Sequence, residues 1–230
     1  PSVSCSLFLD ENPSTKEELM KLRTLILTAL MCALSVFASV SQASGWENHR
    51  KTISYAARYS PLTASQMAAV AEIESGFKTR ATNWSGSSAA GLFQVTKGTW
   101  RSAVKTHGRK HGITFKTSRF NPRANALMTA ELLSDGEQAL RKVLGRKPTG
   151  GEVFLTHLLG TGGATKLFKA KGSAKAARLL PTAARGNKTF FYTKSGKART
   201  VQQLRLYTDW KINQLAKKYD TPKTYRLAAR

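Results

Sequence analysis

The chain has 230 residues, and 37 Lys plus Arg against 13 Asp plus Glu give it a formal net charge of +24. That length fits one ordinary domain or a domain with a short appendage; hydrophobic residues at 41% supply a core, which excludes disorder throughout, and no uncharged stretch is long enough for a multi-span membrane protein. So basic a chain calls for a polyanionic partner, namely nucleic acid, an anionic membrane surface or an anionic cell-wall polymer, and composition does not choose among the three.

Leu25 to Val40 is an apolar run of 16 residues, preceded by Lys21 and Arg23 and followed by Ser41-Gln42-Ala43. A basic flank, a short apolar stretch and a small-x-small end read as a secretory signal peptide over 20–43, cut after Ala43. The run falls short of the roughly 20 residues that a membrane span needs. A buried core helix and an Ala/Ser-rich anchor later released from the membrane are the alternatives. Cys32 follows Met31 inside the run, which argues against a lipoprotein site. Residues 1–19 precede Met20, a natural initiator, and Lys16-Glu17-Glu18 would be encoded by purine-rich codons. They are read as an unstructured translated leader, or as an artefact of where the reading frame was taken to start. The domain proper is then 44–230, exported to the periplasm or secreted. Removing residues 1–43 takes away three basic and four acidic residues, leaving 34 against 9 and a net of +25. Both cysteines, Cys5 and Cys32, go with them, so disulfide, thiolate and Cys-based metal chemistry are not expected.

The rest reads as mostly helical. Trp46 to Tyr59 has helical spacing, and Pro61 ends it. Thr63-Ala64-Ser65-Gln66 is a capping box opening a second helix, whose Met67, Val70, Ala71 and Glu74 share one face before Ser75-Gly76 stops it. A polar Gly/Ser-rich loop runs from Lys78 to Ala89. Thr96 to His107 is a third helix. Asn121-Pro122 supplies a cap and first-turn proline for a long helix to about Gly145. Thr149 to Glu152 repeats the capping box ahead of a helix over Val153–Leu159. Gly160 to Gly163 reads as a tight turn, followed by short helices over Ala164–Lys171 and Ala174–Leu180. Phe190-Phe191-Tyr192 with Ser195-Gly196 predicts a small β-hairpin. A final amphipathic helix spans about Val201 to Tyr219.

Carboxylates are scarce after residue 43, and no acid occurs between Glu74 and Glu131 or between Glu152 and Asp209. Glu72 and Glu74 lie two apart, roughly 200° around their helix, so only Glu74 shares the apolar face. Desolvation there would raise its pKa and keep a proton ready near pH 7, as general-acid cleavage of a glycosidic bond requires. The bland alternative is a helix-end Glu paired with one of the many Lys and Arg.

Glu74-Ser75-Gly76-Phe77, the polar loop, Gly91-Leu92-Phe93-Gln94 and Thr99-Trp100 together resemble the signature of soluble lytic transglycosylases in the lysozyme-like superfamily. Asn121 to Ala126, Phe154 to Ala164 and Asn187 to Phe191 resemble bacteriophage endolysin and virion members. The resemblance covers roughly residues 46–217. It implies a mainly α, lysozyme-like α+β fold in a single helical domain, with Glu74 as catalytic acid/base and Ser75, Phe93 and Gln94 lining or supporting a sugar cleft. Ser75 has a hydroxyl to orient the carboxyl or an N-acetyl group, and Gln94 has both a donor and an acceptor for an amide-bearing sugar. Many bacterial relatives carry a Tyr where His157 stands, so His157 is either a cleft residue in its place or a packed core histidine.

The implied mechanism uses one carboxyl twice, first as acid and then as base, and leaves a 1,6-anhydro sugar without water. A hydrolase would want a second carboxylate about 5–9.5 Å away; Glu131 or Glu152 would have to fold into the cleft to supply it. The partners so implied are peptidoglycan glycan strands and the anionic cell envelope. Nucleic acid, a cofactor and an oligomeric partner are not expected. His107 and His111 have i, i+4 spacing, but Gly108 and Gly112 are expected to break the helix and no third ligand is evident, so no metal site is predicted. A basic nucleic-acid-binding protein with aromatic residues for stacking is the main rival class, permitted by the 11 Lys or Arg and no acid between Val153 and Thr208, and a non-catalytic wall-binding or membrane-disrupting protein, which would not need Glu74, is a third.

Overall fold

The computed structural model describes residues 45–83 and 86–220; the expected leader, signal peptide and cleavage site lie outside them. Residues 45–56 form α1, and a 3-10 turn over Ala57–Tyr59 leads to Pro61. The Thr63 hydroxyl accepts from Gln66 N–H and the Gln66 side chain accepts from Thr63 N–H, which closes the capping box and starts α2, Ala64–Ser75. Gly76 ends it as a left-handed cap. Helix α3, Lys97–His111, begins at the Thr96 cap. The Asn121 side chain accepts from Ala124 N–H and, with Pro122 at the first position, opens α4, Pro122–Leu144. The second capping box, Thr149 with Glu152, opens α5, Gly150–Lys169. Three short helices follow: α6 (Ala176–Leu179), α7 (Pro181–Gly186) and α8 (Lys188–Phe191). Helix α9, Val201–Ala216, runs into a 3-10 turn, Lys217–Tyr219.

Helix α5 is the centre of the packing. It lies against both α4 and α9, and α2 also packs on α9. Val153, Phe154, Leu155 and Thr156 are four consecutive buried residues. A helix buried on consecutive positions is surrounded rather than one-sided, so its face pattern alone could not have told which neighbours it meets. The described residues fall within one compact unit that begins at Gly45.

Four expectations need correction. The predicted hairpin is absent as a strand pair: among the described residues there are only isolated bridges, one of them Tyr192 with Ala198. Phe190 and Phe191 are both buried on the short helix α8. Adjacent residues of a strand face opposite ways, whereas one helical turn turns both rings inward. The glycines at 160–163 do not make a loop either; α5 continues through a single kink at Gly160 (φ 69°, ψ 157°). The residues read as a helix over 174–180 form only four residues of α6 before Pro181 starts α7. Finally, α3 does not stop at His107. Gly108 sits inside it because a Cβ there would lie 2.3 Å from the carbonyl oxygen of Ile113, a close approach that requires glycine.

That longer helix brings His107 and His111 onto one face against α4. His111 Nε2 lies 2.7 Å and Lys110 Nζ 2.8 Å from Glu131 Oε1, and His107 Nε2 lies 2.8 Å from Asp135. Burial pushes the Glu131 carboxyl up, but its bonds to Lys110 and His111 outweigh that and hold it below the usual range. Glu152, also buried, is held by the forked guanidinium of Arg146 at 2.7 and 2.8 Å and by Arg205 at 2.7 Å. Desolvation would raise its pKa; Arg146, Thr149 N–H and Arg205 together pull it down to about 2. Both acids are locked into helix-to-helix pairs.

Candidate active site

Helix α2 carries its two acids to different fates. Glu72 accepts from the Tyr219 hydroxyl at 2.6 Å and from Lys218 Nζ at 2.9 Å, fastening the C-terminal turn. Tyr219 in turn packs on Trp46 and Phe77, with ring centroids at 5.3 and 5.5 Å. Glu74 points the other way, into a cleft of about 600 Å³. Its side chain is 15% exposed. Desolvation pushes its pKa up to about 8. Among the described residues no Lys or Arg pairs with it.

The wall opposite is the turn at Gly91-Leu92-Phe93-Gln94. Ala90 and Val95 close it by exchanging N–H···O bonds of 3.2 and 3.1 Å. Gly91 has φ 83°, and a Cβ there would meet the Arg119 carbonyl at 2.4 Å. Asn125, fully buried on α4, pins the turn: its Oδ1 accepts from Phe93 N–H at 2.8 Å and its Nδ2 donates to Arg119 O at 3.0 Å. Gln94 is held at φ 48°, a conformation a non-glycine residue adopts only when its surroundings enforce it. Its Nε2 donates to Ala81 O at 3.1 Å and Gly91 O at 3.0 Å, which leaves the side-chain oxygen to accept from a ligand.

His157 comes from α5, before the kink. Its Nε2 lies 3.0 Å from the Phe93 carbonyl oxygen, so this nitrogen carries the hydrogen, and 3.7 Å from Glu74 Oε1. Burial lowers its pKa to about 4, the bond to Phe93 O opposing the shift only in part. Near neutrality the imidazole and the carboxyl are therefore both uncharged.

Of the residues singled out in the sequence, Glu74, Gln94 and His157 line this cleft together. Ser75 and Phe93 do not. The Ser75 hydroxyl donates to Leu92 O at 2.7 Å, with Ala71 O at 3.2 Å, so it ties the helix end to the turn. The Phe93 ring is fully buried in the core, and only its backbone carbonyl faces His157. The sequence reading missed Asn125 as the support of the turn. It also missed Thr182 and Asn187, which complete the far wall. Asn125 was visible only as part of a motif, and Thr182 lies in a helix that was not foreseen.

Residues 51–148 match the family model described as the transglycosylase SLT domain. That segment is similar to the SLT transglycosylase family. The family's activity at this level is lytic-transglycosylase-like action on peptidoglycan. The matched segment contributes Glu74, Gln94 and Thr99 to the cleft, while His157, Thr182, Gly186 and Asn187 come from beyond it. Glu131, within the SLT segment, and Glu152, beyond it, are absent from the lining. Among the described residues that line the cleft, Glu74 is the one carboxyl.

Proposed function

We propose that this protein is an exported lytic transglycosylase that cleaves the β-1,4 bond between N-acetylmuramic acid and N-acetylglucosamine, serving phage-induced lysis or cell-wall remodelling. The observation that carries the reading is that Glu74 is the one carboxyl among the described residues that line the cleft, where burial raises its pKa to about 8. Protonated Glu74 donates to the glycosidic oxygen as the bond to C1 breaks, and the muramyl N-acetyl oxygen stabilises C1. The Glu74 carboxylate then accepts the proton of the C6 hydroxyl, whose oxygen closes on C1. A 1,6-anhydro end forms and the carboxyl regains its proton, so no water is consumed.

Support for the second half comes from His157. Its Nε2 stands 3.7 Å from Glu74 Oε1, and its N–H, now held by the Phe93 carbonyl, would reach the newly formed carboxylate by turning from one oxygen to the other. The Gln94 oxygen is an acceptor for a sugar N–H. Turbidity clearing of peptidoglycan by Glu74→Gln, with mass spectrometry of the parent's products, tests the reading. Clearing should drop by about 10²-fold or more in the variant, and anhydro ends should dominate. Parent-like clearing by the variant removes the catalytic role, and reducing ends alone would make the enzyme a muramidase.

A further inference from the structure

The turn after α7 serves two cavities. Gly186 and Asn187 line the cleft of Glu74, while their chain neighbours Arg185 and Lys188 line a second cavity of about 550 Å³. Its wall also includes Tyr192, Lys194, Arg199 and Tyr207, and holds no carboxylate. It lies wholly beyond the matched SLT segment.

Arg199 is already committed. Its guanidinium donates to the carbonyls of Thr189, Phe190 and Tyr192 and lies 3.8 Å from the centre of the Tyr207 ring. It is the strut that holds α8 against α9 and gives the cavity a fixed floor. Lys188 and Lys194 are different. Both are exposed, and neither is in an ion pair among the described residues. A cavity with apolar ring surface and two unneutralised ammonium groups at its rim fits a short anionic chain with some apolar content.

We propose that this cavity is a subsite for the acidic peptide stem of a glycan strand whose sugars occupy the cleft. The inference rests on the reading of Glu74 as a glycan-cleaving acid. A strand lying in the cleft carries its peptides sideways from the lactyl groups, and the two cavities are separated only by the turn at Gly186-Asn187. Stem carboxylates meet Lys188, Lys194 and Arg185 there, and the methyl and methylene groups of the stem lie on Tyr192 and Tyr207. A local pocket of this size suits a few peptide residues better than the long, continuous track that nucleic acid needs.

The test measures steady-state cleavage of soluble glycan strands bearing peptide stems and of the same strands stripped of peptide by an amidase. Lys188→Ala/Lys194→Ala is compared with a control that loses the same charge elsewhere, Lys142→Ala/Lys217→Ala. The subsite variant should raise KM about tenfold on peptide-bearing strands and stay within about twofold on stripped ones, with the control within about twofold on both. An equal rise on both substrates, an equal rise in the control, or no rise at all overturns the subsite. If the unmodified protein cleaves neither substrate, the catalytic reading fails instead. Calorimetric titration of the same two strand preparations into parent and variant then decides the subsite by binding alone: a preference for peptide-bearing strands that the variant loses supports it, and no such preference overturns it.

Discussion

His157 and Glu74 face each other without charge: Nε2 is 3.7 Å from Oε1, burial holding the carboxyl at about 8 and the imidazole at about 4. Paired as ions they would hold each other charged and cancel the acid's usefulness. Because the imidazole spends its N–H on the Phe93 carbonyl, Glu74 keeps its proton across most of the neutral range.

The pH profile of cleavage follows from this. Proton donation is the first step, so the rate should hold up to about pH 8 and fall roughly tenfold per unit above it, as Glu74 ionises. A soluble glycan substrate without peptide isolates this limb from substrate titration. A midpoint near pH 5 would mean that Glu74 is not the acid.

The same shift costs stability. The Glu74 pKa is higher folded, about 8, than its reference of 4.5, so the folded state binds more protons between those values. Stability is complete below about 4.5 and is lost as pH rises towards 8, by at most about 5 kcal/mol from 1.36 kcal/mol per unit. Glu74→Gln escapes that loss. Urea unfolding should show the variant more stable than the parent at pH 8 and level with it at pH 4. The same difference at both values would contradict the assignment.

Asn125 should matter to both fold and activity. Asn125→Ala strips the buried partners from Phe93 N–H and the Arg119 carbonyl. The expected loss is about 2–4 kcal/mol in denaturant unfolding, together with a fall in kcat on well-folded material, since the turn presents both Gln94 and the acceptor of His157. An unchanged kcat would show that the turn holds its geometry without this side chain.

Glu152 separates structure from catalysis. Glu152→Gln leaves Arg146 and Arg205 without their shared carboxylate and should cost about 3 kcal/mol, yet leave kcat of the folded protein unchanged. Its pKa is depressed to about 2, so its contribution is present above about 4.5 and lost as pH falls towards 2; the penalty of the variant should shrink over that window. A large fall in kcat instead would bring Glu152 into the reaction as a second carboxylate.

Salt should act on attraction more than on chemistry. The cleft lining contains no Lys or Arg, whereas the surrounding chain is strongly basic. Raising ionic strength from about 0.1 to about 1 M shortens the screening length from about 10 to about 3 Å, so binding to intact wall should weaken more than cleavage of short soluble glycans. Equal sensitivity of the two would remove the steering role of the charge.

Much of this fold could be read along the chain. The two capping boxes, the Asn121-Pro122 start and the Gly76 stop all hold, because each depends on residues three or four apart. Glu74 on the apolar face of α2 belongs to the same class of inference. Gly108 misled it: glycine weakens a helix in isolation, and only the contact with Ile113 O shows why one is needed there. The hairpin failed for a related reason, since two adjacent aromatic rings fit a strand's composition but not its alternation once both are buried.

The net charge and the scarcity of acids were fixed by composition; the charge called for a polyanionic partner, and the scarcity told against a conventional two-carboxylate site. Which acid would be left alone was a tertiary matter. Glu72 finds its partners 146 and 147 residues away, Glu131 finds His111 across a helix interface, and Glu152 finds Arg205 across another. A carboxyl's protonation depends on the charges and solvent within a few ångströms of it, and only the packing of distant helices decides what those are. Three acids were paired in this way, and Glu74 was left largely buried beside an uncharged histidine.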